Sequence, residues 1–189
     1  DDNASGVAIM MELARNMAKG KPKRSIIFLA CTAEEAGLVG SRYFVKNHMD
    51  AGKGAIFANI NLDTDGSLFD KKLMVLNAQS ASEWKFIFMG TNYTTGVQSE
   101  LIEQKLDASD HMAFHEKGIP AIQLFTGPTK HYHRPSDKTD KLDYPGMVKV
   151  AIVAKEVIQY LANREEAMHF LGKTASQSKT HPTSSEKRK

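Results

Sequence analysis

Apolar positions along this chain switch between a helical period and short unbroken runs, and each switch marks an element. Val7, Met10, Met11, Ala14 and Met17 recur at helical spacing and predict a helix ending near Ala18. Asn3 or Ser5 can cap it, and Gly20-Lys21-Pro22 stops it. Ser25 to Thr32 is continuously apolar between turn signals, which predicts a buried strand with Glu34-Glu35 just beyond its end. A helix is expected after Gly40, running to about His48. Ala55 to Leu62 and Leu73 to Leu76 read as two further strands, the first ending at Asp63.

The second half follows the same logic. Ser82 to Met89 is expected to be helical, and Asn92 to Lys105 carries no decisive pattern. Asp110 to Lys117 reads as a short helix stopped by Gly118 and Pro120, followed by a strand over Ala121 to Phe125 and a turn at Gly127-Pro128. His131 to Asp140 is polar and loop-like. A long helix then starts at Asp143 or Tyr144, with Pro145 in its first turn and a stripe of Met147, Val150, Val153, Val157 and Leu161. No internal repeat is visible. Strands alternating with helices predict an α/β fold with a mainly parallel, mixed sheet flanked by helices. In such sheets functional groups gather at the carboxyl ends of the strands.

Composition narrows this picture. A chain of 189 residues, 41% hydrophobic and 25% charged, can build one domain with a sizeable core. That domain is expected over residues 1–172, with a disordered polar and basic tail over 173–189, where no periodicity survives. The tail holds five basic residues and one acid, a net +4, so the overall +3 leaves −1 for the remainder. A nearly neutral body gives no case for nucleic-acid binding. No apolar run approaches the roughly 18 residues that read as a membrane span. The chain opens at Asp1 without an initiator Met, so any leader is expected upstream of it. The single Cys31 excludes an intrachain disulfide and a Cys-rich zinc cluster, and its apolar run predicts a buried, inert thiol.

The candidate chemistry lies in acids and histidines at strand ends and helix starts. A lone carboxylate such as Asp2, at a helix start, is commonly only solvated. Two adjacent acids after an apolar strand, Glu34 and Glu35, must share a crowded site or splay apart, and if they splay one can bind a metal while its neighbour faces a bound water. Asp63 ends a strand, whereas Asp65 reads as a turn residue before Gly66. His133 is flanked by Tyr132 and, four residues on, by Asp137. His111 and His115 sit one helical turn apart, with His115 expected at the surface. Acids and histidines without cysteine suit a hydrolytic zinc site that keeps a position open for water.

Five segments together carry a family resemblance. Asp1-Asp2-Asn3-Ala4-Ser5-Gly6, Thr32-Ala33-Glu34-Glu35-Ala36-Gly37-Leu38-Val39-Gly40-Ser41, Asn61-Leu62-Asp63, Ser109-Asp110-His111 and Tyr132-His133-Arg134-Pro135-Ser136-Asp137 resemble the M28 family of two-zinc aminopeptidases, in the family's order, over roughly residues 1 to 163. The resemblance implies a phosphorylase/hydrolase-like zinc exopeptidase architecture. It implies hydrolysis of the N-terminal peptide bond of a substrate with a free amino terminus by a zinc-activated water. Asp2 is implied to bridge two zinc ions, Glu35 and His133 to complete one site, and Asp63 to bind the second. Glu34 is implied as general base and later general acid, and Tyr132 as a hydrogen-bond donor to the developing oxyanion. Asp110 and Asp137 are implied to orient the ligands, and the Asp2–Asn3 peptide to be cis. Export to the periplasm or cell exterior is implied by the resemblance alone.

One departure matters. The family's second zinc also takes a His from an upstream His-x-Asp motif, which this chain does not contain, so one well-bound zinc and one weak site are expected. Three alternatives stand beside the aminopeptidase reading. A glutaminyl cyclase-like enzyme would hold one zinc through the equivalents of Asp2, Glu35 and His133. A non-catalytic binding domain usually loses ligands or the base, whereas Asp2, Glu34, Glu35, Asp63 and His133 are all present here. Carboxypeptidase action belongs to larger relatives with further domains. Substrate side-chain preference and oligomeric state leave no mark in the sequence.

Overall fold

A computed structural model describes residues 1–48, 56–102 and 109–172. The expected tail over 173–189, and the start of the strand expected from Ala55, lie outside the described residues. Five helices and four strands are formed within them: α1 (Ala4–Met17), α2 (Val39–His48), β1 (Asn59–Leu62), β2 (Leu73–Leu76), α3 (Trp84–Thr95), β3 (Ser99–Ile102), α4 (His111–His115), β4 (Ala121–Phe125) and α5 (Tyr144–Asn163). The strands form one sheet in the order β1-β4-β2-β3. β1 pairs parallel with β4 and β2 parallel with β3, while β2 and β4 run antiparallel, so the sheet is mixed as expected.

Helices cover both faces. Along β4 the side chains alternate: Ile122 and Leu124 join the larger apolar cluster, and Ala121 joins a smaller one. The larger cluster gathers Ile9 and Leu13 of α1, Trp84, Ile87 and Phe88 of α3, and Val150, Val153, Val157 and Leu161 of α5. The smaller gathers Val45 of α2 with Ala113 and Phe114 of α4. The sheet is therefore sandwiched, and the carboxyl ends of the parallel pair β1 and β4 open on the same edge. No helix among the described residues is long and apolar enough to cross a membrane.

Three expectations are corrected. The buried stripe of α1 is Ser5, Ile9, Leu13 and Met17, while Val7 and Met11 are exposed. Both faces of this helix are apolar, and contact decides between them. A Cβ on Gly6 would lie 2.3 Å from the Leu62 carbonyl oxygen, so the Gly6 face must pack against β1. Ser25 to Thr32 does not join the sheet: no strand is assigned there, and Ile27 is 64% exposed. Apolar content alone does not make a strand without a neighbour to accept its hydrogen bonds. Cys31 in this segment is half-buried, with its thiol pushed up to about 11 by burial first and then by Asp110, which disfavours the thiolate. His115 is buried, not on the surface, with Nδ1 3.2 Å from Asn77 Nδ2 and its ring 5.2 Å from that of Phe170.

The segment without a decisive pattern resolves simply. α3 continues to Thr95, Gly96 caps it at φ 72°, and β3 follows at Ser99. The caps of the other long helices are those the sequence offers: Asn3 for α1 and Asp143 for α5, each accepting a backbone N–H three residues on. α3 also supplies a paired test of the core. Phe88 is fully buried and Phe86, two positions before it, is 67% exposed. Phe88→Ala is expected to cost about 3–5 kcal/mol in urea unfolding, and Phe86→Ala less than about 0.5 kcal/mol.

Candidate functional site

Three loops meet at the carboxyl edge of the sheet, and each is held there by its own backbone chemistry. The first leads into α1. The Asn3 side chain donates to the Leu62 carbonyl at 2.9 Å and accepts from Thr64 N–H at 3.2 Å, which docks the helix start on the end of β1. The Asp1 carboxylate accepts from Ser5, from Gly66 N–H and from Ser67, tying the same turn to the loop after β1. Asp2 is thereby fixed between them, and the Asp2–Asn3 peptide is cis, as the resemblance implies.

The second loop carries the paired acids. Gly37 at φ 102° and Leu38 at φ 59° fold the chain back after Glu34-Glu35. A Cβ on Gly40 would meet the Thr32 backbone at 2.6 Å, so glycine alone lets α2 start this close. The third loop, His131 to Asp137, holds His133 at φ 54° through a set of tight turns.

The geometry brings together Asp2, Glu35 and His133. His133 Nε2 lies 3.0 Å from Asp2 Oδ2 and 2.9 Å from Glu35 Oε1. One donor atom from each residue falls within 4.8 Å of the others, a group able to hold a metal ion. Ligand atoms around one tetrahedral zinc lie roughly 3.4 Å apart, so two carboxylate oxygens and an imidazole nitrogen at these separations fit that ion in both chemistry and spacing. The side chains stay open to solvent, 19% for Asp2, 46% for His133 and 66% for Glu35, which leaves room for water and substrate.

Asp63 stands beside this group without joining it. Its Oδ2 accepts a 2.7 Å hydrogen bond from Ser109, and Asn61 Nδ2 donates to Ser109 Oγ at 2.7 Å. Its charge is nonetheless close enough to matter: after burial, Asp63 is the main influence raising the carboxyls of both Asp2 and Glu34. Glu34 is pushed up to about 7, by burial, then by Asp63, Asp110, Glu35 and Asp2. Glu35 reaches His133, while Glu34 feels chiefly the half-buried acids Asp63 and Asp110. Tyr132 stacks on His133 with ring centroids 3.8 Å apart, and burial with the same acids raises its phenol.

The two acids expected to act indirectly have identifiable contacts. Asp137 Oδ2 accepts from the backbone N–H of Asp2 at 3.0 Å, so it positions the main chain of that residue. Asp110 accepts a 2.5 Å hydrogen bond from buried Ser41, and burial raises its carboxyl. Sequence reasoning assigns no part to Ser41, Asn61 or Ser109. A serine or asparagine carries no charge or period that would mark it, and only the fold shows which carboxylate it serves.

Comparison with known proteins follows the same direction. The profile of peptidase family M28 matches residues 1–158. Aminopeptidase YwaD of Bacillus subtilis (strain 168) is 30% identical over 152 residues, which are 75% of this chain and 33% of that protein. An aminopeptidase of Pseudomonas aeruginosa (strain UCBPP-PA14) is 34% identical over 136 residues, 67% of this chain and 25% of that protein. Among solved structures, BSAP, a zinc aminopeptidase from Bacillus subtilis, superposes with a TM-score of 0.74 at 26% identity, covering 87% of this chain and 42% of that one. The LapA aminopeptidase of Legionella pneumophila gives a TM-score of 0.78 at 26% identity, covering 87% of this chain and 47% of that one. The chain thus spans a third or less of these curated relatives and under half of these solved chains.

The crowded acids give the metal-free protein a characteristic pH response. Glu34 rises from the usual 4.5 to about 7 on folding, so the folded state holds its proton more tightly than the unfolded chain. Its contribution to stability is complete below about 4.5 and is lost as pH rises through about 7. In chelator, the urea midpoint of Glu34→Gln is expected to gain on that of the parent as pH is raised from 4.5 to 7.5. A constant difference across that range would contradict the assignment.

Proposed function

The chain belongs to peptidase family M28, and on that premise we propose that it carries the metal-binding and catalytic core of a zinc-dependent aminopeptidase. The observation that carries this reading is the meeting of Asp2, Glu35 and His133 within ligand distance, beside a Glu34 carboxyl raised to about 7. Asp2, Glu35 and His133 would hold one zinc ion, and Asp2 with Asp63 would contribute to a second. Zinc bound there would supply Lewis-acid chemistry and a water made nucleophilic at neutral pH.

The remaining roles belong to the protein's own groups. Glu34 accepts a proton at its carboxylate from the attacking water and returns it to the nitrogen of the departing amine. A carboxyl near 7 in the absence of a cation suits both halves of that transfer, because neither form is strongly favoured at neutral pH. Tyr132 donates its phenolic hydrogen bond to the oxyanion that develops on the scissile carbonyl. Asp137 fixes the backbone of Asp2, and Asp110 with Ser41 supports the acids from beneath. Ser109, itself held by Asn61, orients the Asp63 carboxylate. The substrate is a peptide with a free N-terminus.

Glu34→Gln separates binding from chemistry. Calorimetry is expected to show zinc binding retained, while hydrolysis of leucine p-nitroanilide falls at least about a hundredfold. Equal rates in parent and variant would remove Glu34 from the proton transfer. A parent that binds zinc, leaves the anilide intact and cyclises an N-terminal Gln peptide would replace the aminopeptidase reading with the single-zinc cyclase.

A further inference from the structure

The cleft that contains the three candidate ligands encloses about 510 Å³ and is lined by Asp2, Glu35, His133, Arg134, Pro135 and Asp137. That volume lies within the range of small-molecule sites. Three of the six lining residues are acids, and one is a cation. Arg134 differs from every other arginine among the described residues. Arg15 pairs with Glu12, Arg42 with Glu116 and Arg164 with Glu166, and Arg24 donates to the Leu161 and Arg164 carbonyls. The Arg134 guanidinium has no hydrogen bond or ion pair among the described residues, although three carboxylates line its own cleft.

Its backbone, by contrast, is fully engaged. Arg134 N–H donates to the His131 carbonyl at 3.0 Å, and its own carbonyl accepts from Asp137 N–H at 2.9 Å. His131 Nδ1 lies 3.0 Å from Ser136 Oγ, closing the same loop, and Pro135 restricts the conformation of the residue before it. Arg134 is exposed, so although its main chain is fixed its guanidinium is free to turn to a ligand in the cleft. The guanidinium fork matches a carboxylate in a bidentate geometry that a lysine cannot reproduce.

Position sets which carboxylate it meets. Arg134 follows the candidate ligand His133 directly, so its Cα lies about 3.8 Å along the chain from that of His133. One residue of extended peptide spans about 3.5 Å. In a peptide with a free N-terminus the residue that bears the amine has no main-chain carboxylate, so a main-chain carboxylate next to the scissile bond belongs to the residue being released. Arg134 is the one arginine or lysine on the cleft wall, beside the acids Asp2, Glu35 and Asp137 and the imidazole of His133. We propose that Arg134 is a specificity-determining residue that binds a carboxylate on the leaving residue. The preferred substrates are therefore dipeptides, through their C-terminus, or peptides with an acidic second residue. This inference rests on the aminopeptidase reading above and names its substrate class.

The test compares leucyl-glycine, leucyl-glycinamide and leucyl-aspartamide on the zinc-loaded protein. In the parent, kcat/KM for at least one carboxylate substrate is expected to exceed that for leucyl-glycinamide by about tenfold or more, as charged hydrogen bonds commonly give. The difference is expected mainly in KM, because the carboxylate is distant from the bond that breaks. Arg134→Ala brings the ratio close to one, and Arg134→Lys restores part of it. Response to leucyl-glycine assigns the C-terminal carboxylate, and response to leucyl-aspartamide assigns the side chain. Calorimetric binding of the same three compounds to Glu34→Gln reads the preference without turnover. Loss of all hydrolysis, leucine p-nitroanilide included, would sink the aminopeptidase reading, and the binding ratio would still decide the role of Arg134. Equal handling of acid and amide by the parent, or a preference that survives Arg134→Ala, overturns the proposal.

Discussion

Like charges held close together are the constraint around which this structure is arranged. Asp2, Glu34, Glu35, Asp63 and Asp110 converge at one edge of the sheet with His133 as their basic partner. The carboxyls of Asp2, Glu34 and Asp110 are raised by burial first, and each neighbouring carboxylate adds to the cost of ionising them. The same direction extends to Asp65, fully buried just behind Asp63 and pushed well above the ordinary range by burial first. A divalent cation in this place would turn mutual repulsion into shared attraction, and its binding would be coupled to folding, because the unfolded chain does not hold these acids together.

The scaffold that enforces this arrangement is built from close backbone approaches. Gly6 lets α1 sit against the Leu62 carbonyl, and Gly40 lets α2 sit against Thr32. These contacts place Asp2 beside Asp63 and Glu34 beside both. The second set of supports is hydrogen bonds: Asn3 to β1, Asp1 to the loop after β1, Ser109 to Asp63 and Asp137 to the Asp2 backbone. None of these groups carries chemistry of its own. They hold side chains in place against the electrostatic force that would spread them, which is why the site needs so many glycines, serines and asparagines around its acids.

Much of this was legible in the sequence, and the exceptions have physical causes. β2 and β4 match their expected limits, since short apolar runs between strong turn signals leave little freedom. α5 matches as well, because Val150, Val153, Val157 and Leu161 recur at helical spacing behind the Asp143 cap and Pro145. α1 was misread in its buried face, because methionines and a valine occupy the exposed side too and only the Gly6 contact selects between the two. Ser25 to Thr32 was misread because a strand is a relation between two segments, and a single apolar run cannot show its partner. The acids, Tyr132 and His133 were named as candidates from their motifs. Their partners Ser41, Asn61 and Ser109 were not, since a hydroxyl or amide acquires its meaning only from what folding places against it. Arg134 lies inside the Tyr132–Asp137 motif, and that its guanidinium has no partner among the described residues is a property of the folded cleft alone.

The most direct measurement is a calorimetric zinc titration of the chelator-treated protein at pH 7, beside Asp2→Ala and His133→Ala, with thermal unfolding followed in parallel. The account predicts at least one tightly bound ion per parent chain, a rise in Tm on binding, and a loss of affinity of at least about tenfold in both variants. Zinc binding that is absent from the parent, or that both substitutions leave untouched, would contradict it.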